Sequence, residues 1–194
     1  MKTICSAVAA CALLVTAATP LQSQAASSIT GDISFVGGVD LDSPIGTAIK
    51  FTSIYDGFYG PPDGPTVSAT HGSYSAVGLG TSATFTAFTF SPSPISITPL
   101  FTFSANGTTY SFDVTSVTYY SKDSAFINLA GSGVAHISGA SDTPGTWSIT
   151  VDVASSTQTY GTFGAYISVP EPSSLSLVFS AGIAVLFGRK LSRK

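Results

Sequence analysis

The run Phe101 to Val114, FTFSANGTTYSFDV, constrains this chain more than any other stretch. Asn106-Gly107 favours a two-residue turn with positive φ at both central positions, the turn whose twist matches a hairpin. With that turn, Ala105 faces Thr108, Phe103 faces Tyr110 and Phe101 faces Phe112, so every aromatic lands on one face. Thr102, Ser104, Thr109, Ser111 and Asp113 land on the other. Turn chemistry and period-two burial therefore select the same register independently. Asn106-Gly-Thr108 also matches a glycosylation acceptor, but the hairpin turn accounts for it.

The same alternation recurs at Trp147, Ile149, Val151 and Val153, and again at Phe163, Ala165, Ile167 and Val169. Shorter strand candidates are 29–36, 49–54, 84–90, 95–98, 117–120, 126–129 and 134–138. Clusters of Gly, Pro, Asn and Asp separate them, as in GGVDLDSPIG, DGFYGPPDGP and SGASDTPG. No stretch before residue 170 has a helical period. The expected fold is all-β, an antiparallel, jelly-roll-like β-sandwich over residues 26–168, with hydroxylated side chains outside and aromatic and branched ones inside. An N-terminal signal helix and a C-terminal hydrophobic helix are expected to flank it.

Residues 1–25 read as a secretory signal peptide: a charge at Lys2, an apolar run from Ala7 to Ala18, and small residues at Ser23 and Ala25 before the expected cut. The apolar run is too short to span a bilayer, and Pro20 interrupts it. Its removal takes away Cys5 and Cys11, so the exported part has no disulfide and no thiolate chemistry. Between Ala26 and Val169 two lysines stand against nine aspartates, a net charge of −7. Such a domain repels nucleic acid, and no nucleic-acid partner is expected.

Residues 169–194 form a different kind of segment. Four of the seven basic residues, Arg189, Lys190, Arg193 and Lys194, lie in the last six positions. Before them the sixteen residues 173–188 carry no charge. As a helix they would reach about 24 Å, against about 30 Å for a hydrocarbon core. Basic residues beside an apolar segment stay on the cytoplasmic side, so these four act as a membrane stop. Two prolines hold the backbone around Glu171 extended and keep helix from spreading back into the domain.

Val169-Pro170-Glu171-Pro172, the apolar segment and the basic end together resemble the PEP-CTERM sorting signal of Gram-negative bacteria. The resemblance covers residues 169–194; a looser likeness to exported PEP-CTERM proteins of undefined function lies in PLFTFSANGTTYSFDVTSV and TPGTWSIT. It implies exosortase, an integral-membrane cysteine protease or transpeptidase, as a partner. It also implies transient inner-membrane tethering before delivery to the cell surface or extracellular matrix, in association with exopolysaccharide and biofilm.

Chemistry within the domain is sparse. His71 and His136 are its two histidines, and neither lies in a G-x-S-x-G or H-E-x-x-H context. Several of the aspartates precede Gly or sit near Pro, where Asp serves turns. Asp40 and Asp42, or Asp56 and Asp63, offer oxygens to calcium, but the D-x-D-x-D-G loop is absent. No catalytic residue, metal site or cofactor is expected. Tyr55, Phe58, Tyr59, Tyr74, Tyr119 and Tyr120 form a sugar-stacking platform if exposed. The expected function is that of a structural or adhesive surface protein. A carbohydrate-binding module of the matrix is the alternative and a secreted hydrolase the third reading.

Overall fold

A computed structural model describes residues 27–55, 64–91, 96–153 and 157–170. The signal segment 1–25, the tail from Glu171 and both expected terminal helices lie outside the described residues.

The Asn106-Gly107 turn forms as its chemistry dictates, with φ of 52° and 77°. It joins β5 (Ile97–Ala105) to β6 (Thr108–Lys122), pairing Phe103 with Tyr110 and Phe101 with Phe112. Both pairs stack nearly parallel, at centroid distances of 4.8 Å and 6.3 Å. From here the antiparallel order continues through β7 (Phe126–Ile137), β8 (Thr143–Asp152) and β9 (Tyr160–Val169) to β1 (Gly31–Leu41). β1 pairs with β9 along one side, and on the other with β3 (Thr66–Thr70) and then β2 (Phe51–Tyr55).

Residues 80–90 bring the two ends of this sheet together. The Val67 amide on β3 donates to Thr81, and the Ala83 amide donates to Pro65. β4 (Thr84–Phe85) then pairs with β5. Further on, the Phe51 amide donates to Phe88 and the Phe90 amide to Ile49, which ties the segment to the β2 edge. The all-β antiparallel expectation is met. In place of the two stacked sheets of a sandwich, the strands make one nine-stranded sheet that nearly closes into a barrel.

One face of that sheet makes the core. Phe35, Phe101, Phe112 and Trp147 are all but fully buried, and Phe35 packs within 6.0 Å of Phe85, Phe101 and Phe103. β7 reads FINLAGSGVAHI, and its glycines, which look like breaks in the sequence, lie inside the strand. A Cβ on Gly131 would strike the Ser116 carbonyl and the Trp147 ring nitrogen. One on Gly133 would strike the Phe112 ring. The space belongs to the rings, and the Trp147 Nε1 donates to the Ser116 carbonyl at 3.2 Å.

Phe101→Ala removes the ring shared by the β4, β5 and β6 layers. A truncation of this kind in a fixed core costs about 3–5 kcal/mol. Urea unfolding followed by the fluorescence of Trp147, the sole tryptophan, should show a midpoint lowered accordingly. A change below about 1 kcal/mol would mean that the aromatic interior does not hold the barrel together.

Candidate functional site

The register of β1 and β9 decides where the chain leaves the barrel. Gly31 pairs with Val169, so the first strand begins where the last one ends. Segment 27–31 is stitched over this pole on two sides. The Ile29 amide donates to Thr143 Oγ1 and the Ser141 amide to the Ser27 carbonyl, while the Ser73 amide donates to the Thr30 carbonyl. Ile29 is thereby buried as a lid on the core. Gly31 and Gly72 meet backbone to backbone with φ of 96° and 61°, and a Cβ on either would collide with the other chain segment. Val169 is buried as the last residue of β9, and Pro170 is exposed immediately after it. Of the sorting motif, Glu171 and Pro172 lie outside the described residues, as do Arg189, Lys190, Arg193 and Lys194.

Both histidines sit at this same pole. His71 Nδ1 lies 2.8 Å from Asp32 Oδ2, with the His71 side chain 70% exposed. An Asp-held imidazole is two thirds of a serine-hydrolase triad. Among the described residues no serine hydroxyl is hydrogen-bonded to its Nε2, and the ring stands on an open surface. His136, on β7, lies between two carboxylates: Nδ1 is 2.8 Å from Asp142 Oδ1, and Nε2 is 3.4 Å from Asp113 Oδ2. The second contact lacks hydrogen-bond geometry. Carboxylates on both sides of one ring make a clamp across β6, β7 and the following turn. Among the described residues no set of three or more His, Cys, Asp or Glu side chains converges to hold a metal ion.

The aspartates at the opposite pole serve turns, as expected from their neighbours. Asp42 Oδ1 accepts from the amides of Ile49 and Lys50 at 2.8 Å and 3.2 Å, and Asp123 Oδ1 from those of Ala125 and Phe126 at 2.7 Å and 2.8 Å. Asp40 accepts from the Ser53 hydroxyl. Lys122 donates to the Ala48 carbonyl at 3.0 Å, tying β6 to the loop before β2. Asp56 and Asp63 lie outside the described residues.

The aromatic platform expected from the sequence comes apart. Tyr74 is buried against Tyr110, and burial pushes its phenol well above its ordinary pKa, with Tyr110 adding to the effect. Phe58 and Tyr59 lie outside the described residues, and so does the Tyr55 side chain. Tyr120 turns toward Phe90 at the far rim, with ring centroids 5.8 Å apart. Tyr119 remains, 55% exposed on the outer face of β6. The exposed partner that sequence reasoning missed is Tyr166, 45% exposed on β9. Its signal was present: an aromatic in the polar phase of the alternation Phe163, Ala165, Ile167, Val169.

Strand registers place these two tyrosines in one row. Tyr119 faces Ala130, Ala130 faces Ser148, and Ser148 faces Tyr166. The next row runs Ser121, Asn128, Thr150, Gly164 and Val36. Within it the Thr150 hydroxyl donates to Asn128 Oδ1 at 3.0 Å, and Asn128 Nδ2 donates to Ser121 at 3.4 Å. The Tyr119 hydroxyl joins the chain by donating to Ser121 at 3.1 Å.

Compared with known proteins, the chain matches no protein-family model, no curated protein and no solved structure. Its chemistry is therefore read from its own geometry, and the aspartate-held turns give a direct check. Slight desolvation raises the Asp42 carboxyl, but the Ile49 and Lys50 amides and the Lys50 charge more than reverse this and leave it below 3.8. The Ala125 and Phe126 amides lower Asp123 in the same way. A depressed carboxyl contributes stability above its unfolded value and loses it as pH falls through the folded one. Hydrogen exchange, corrected for intrinsic rates, should show the Ile49, Lys50, Ala125 and Phe126 amides losing protection as pH drops below about 3.8, before core amides such as Ile149. Asp42→Asn should remove that pH dependence at Ile49 and Lys50 and leave it at Ala125 and Phe126.

Proposed function

We propose that this chain is an exported structural or adhesive protein of the cell surface or extracellular matrix, delivered there by an exosortase-type sorting tail. Residues 1–25 direct export, Val169, Pro170, Glu171 and Pro172 are the processing motif, and Arg189, Lys190, Arg193 and Lys194 hold the tail in the inner membrane. Exopolysaccharide is the surrounding material. The observation that carries this reading is the pairing of Gly31 with Val169, which puts the start of the first strand and the end of the last at one pole. A barrel tethered through that pole keeps its other surfaces clear of the membrane.

The join is also short. Three residues, Pro170 to Pro172, separate β9 from the uncharged segment. Fully extended they reach about 10 Å. An extended, proline-held strand of that length beside a membrane is what a membrane-embedded protease can grip. Ser27 and Ser28 are already held by the barrel, so a cut after Ala25 would leave the fold whole. The reading is non-catalytic: the described histidines are engaged by carboxylates at a pole facing the tether, and the hydroxyl-covered outer face suits contact with hydrated polymers.

The mass of the intact protein recovered from the surface or matrix of its native host tests this. The expected product begins near Ala26 and ends close to Glu171. Replacing Glu171 should leave insertion intact and block processing, so that full-length protein accumulates in the inner membrane. Neutralising the four terminal basic residues should instead disturb orientation. A mature mass that includes residues 173–194 would make the tail a permanent anchor and end the sorting reading.

A further inference from the structure

We infer that the outer face of β6 to β9, with Tyr119 at one side and Tyr166 and Gly164 at the other, is a binding platform for a neutral polysaccharide chain. Gly164 is the first reason. A glycine inside a strand marks a bulge, a close approach of the protein's own backbone, or a place where a ligand comes close. Gly131, Gly133, Gly145 and Gly161 are each explained by neighbours that a Cβ would meet at 3.3 Å or less. At Gly164 the pairing with β1 and β8 is regular, φ is not positive, and a Cβ would meet nothing within 4 Å. Among the described residues nothing requires the side chain to be missing, and the exposed position leaves an open floor between Val36 and Thr150.

The surroundings of that floor specify the occupant. Tyr119 and Tyr166 are three strand spacings apart, about 14 Å. Aromatic faces at that separation suit the C–H faces of sugar rings along a short run of a glycan. In the next row, beside the one that joins them, lies the hydroxyl and amide chain Thr150, Asn128, Ser121, already hydrogen-bonded in place, so little order is lost on binding. Apart from the two phenols, neither row carries an ionisable group, while Asp32 and Asp152 stand at opposite borders of the face. An anionic polymer gains nothing here and is repelled at the edges. Cores of protein interfaces are depleted in Ser and Ala, which fill the row between the tyrosines, so a second copy of the chain is the poorer occupant.

The inference rests on the exported-surface reading only for the occasion to meet polysaccharide; the binding belongs to the face. The test uses the full chain in detergent micelles. Affinity electrophoresis is run through hydroxyethyl cellulose, mixed-linkage β-glucan, galactomannan and dextran, with alginate as the anionic comparison. At least one neutral polymer should retard the protein and alginate should not. Gly164→Val adds a strand-favouring side chain on an open surface, so the melting temperature should hold or rise while retardation falls at least tenfold. Tyr166→Ala should weaken retardation to a similar extent. Failure of every neutral polymer, retardation by alginate alone, or binding indifferent to both substitutions would overturn the inference. So would a dimer in sedimentation that Gly164→Val dissociates without any glycan binding. A processed tail without glycan binding removes this inference alone, and glycan binding with a retained tail removes only the sorting reading.

Discussion

A sheet that curls round on itself has an interior of fixed width, and side chains must fill it without voids. Here aromatic rings supply much of the filling, and the largest of them need small residues on the neighbouring strand. Gly131 and Gly133 on β7 provide that space for Trp147 and Phe112. The rings in turn fix how closely β6, β7 and β8 approach, and the Trp147 to Ser116 hydrogen bond holds β6 where its register shifts. Curvature, closure and the placement of outward residues all follow from this exchange of volume between rings and glycines.

The two poles are built on different chemistry. At the far pole, carboxylates cap turns through backbone amides and Lys122 reaches across to Ala48, so its loops are held by local hydrogen bonds. At the pole of the chain ends, strand segments are stitched by backbone bonds and the aspartates face histidines instead. The first holds loops that also bond to neighbouring segments, as Ile45 does to the Gln158 carbonyl. The second holds the places where chain enters and leaves, and there the binding of β1 against β9 carries the mechanical load of any tether.

How much of this was legible in the sequence depends on whether the relevant spacing was local. The β5–β6 hairpin was readable residue by residue because turn type and alternation are both encoded within fourteen positions. β8 and β9 were readable from period two alone. β6 was not seen as one strand, because register shifts after Val114 and Val117 break the alternation that defines it. β7 was split for the opposite reason: its glycines read as punctuation, and only the three-dimensional position of Trp147 and Phe112 explains them. β3, five residues of TVSAT with little alternation, gave no pattern to find. Closure was invisible too, since the bonds from residues 80–90 to β2 and β3 join chain segments whose proximity no local pattern encodes.

The outer face shows the same limit from the other side. The sequence marks Tyr119 and hides Tyr166, because a lone aromatic in a polar phase gains meaning only when registers across four strands align it with another. Glycine is ambiguous in the same way. Gly131, between Ala130 and Ser132, and Gly164, between Phe163 and Ala165, both stand inside strands, and neither is next to a turn. One is glycine because the core behind it is full, and the other lies over empty space. Among the described residues nothing returns the strand stability that glycine costs at position 164, and the open surface over it faces outward, away from the packing that explains Gly131.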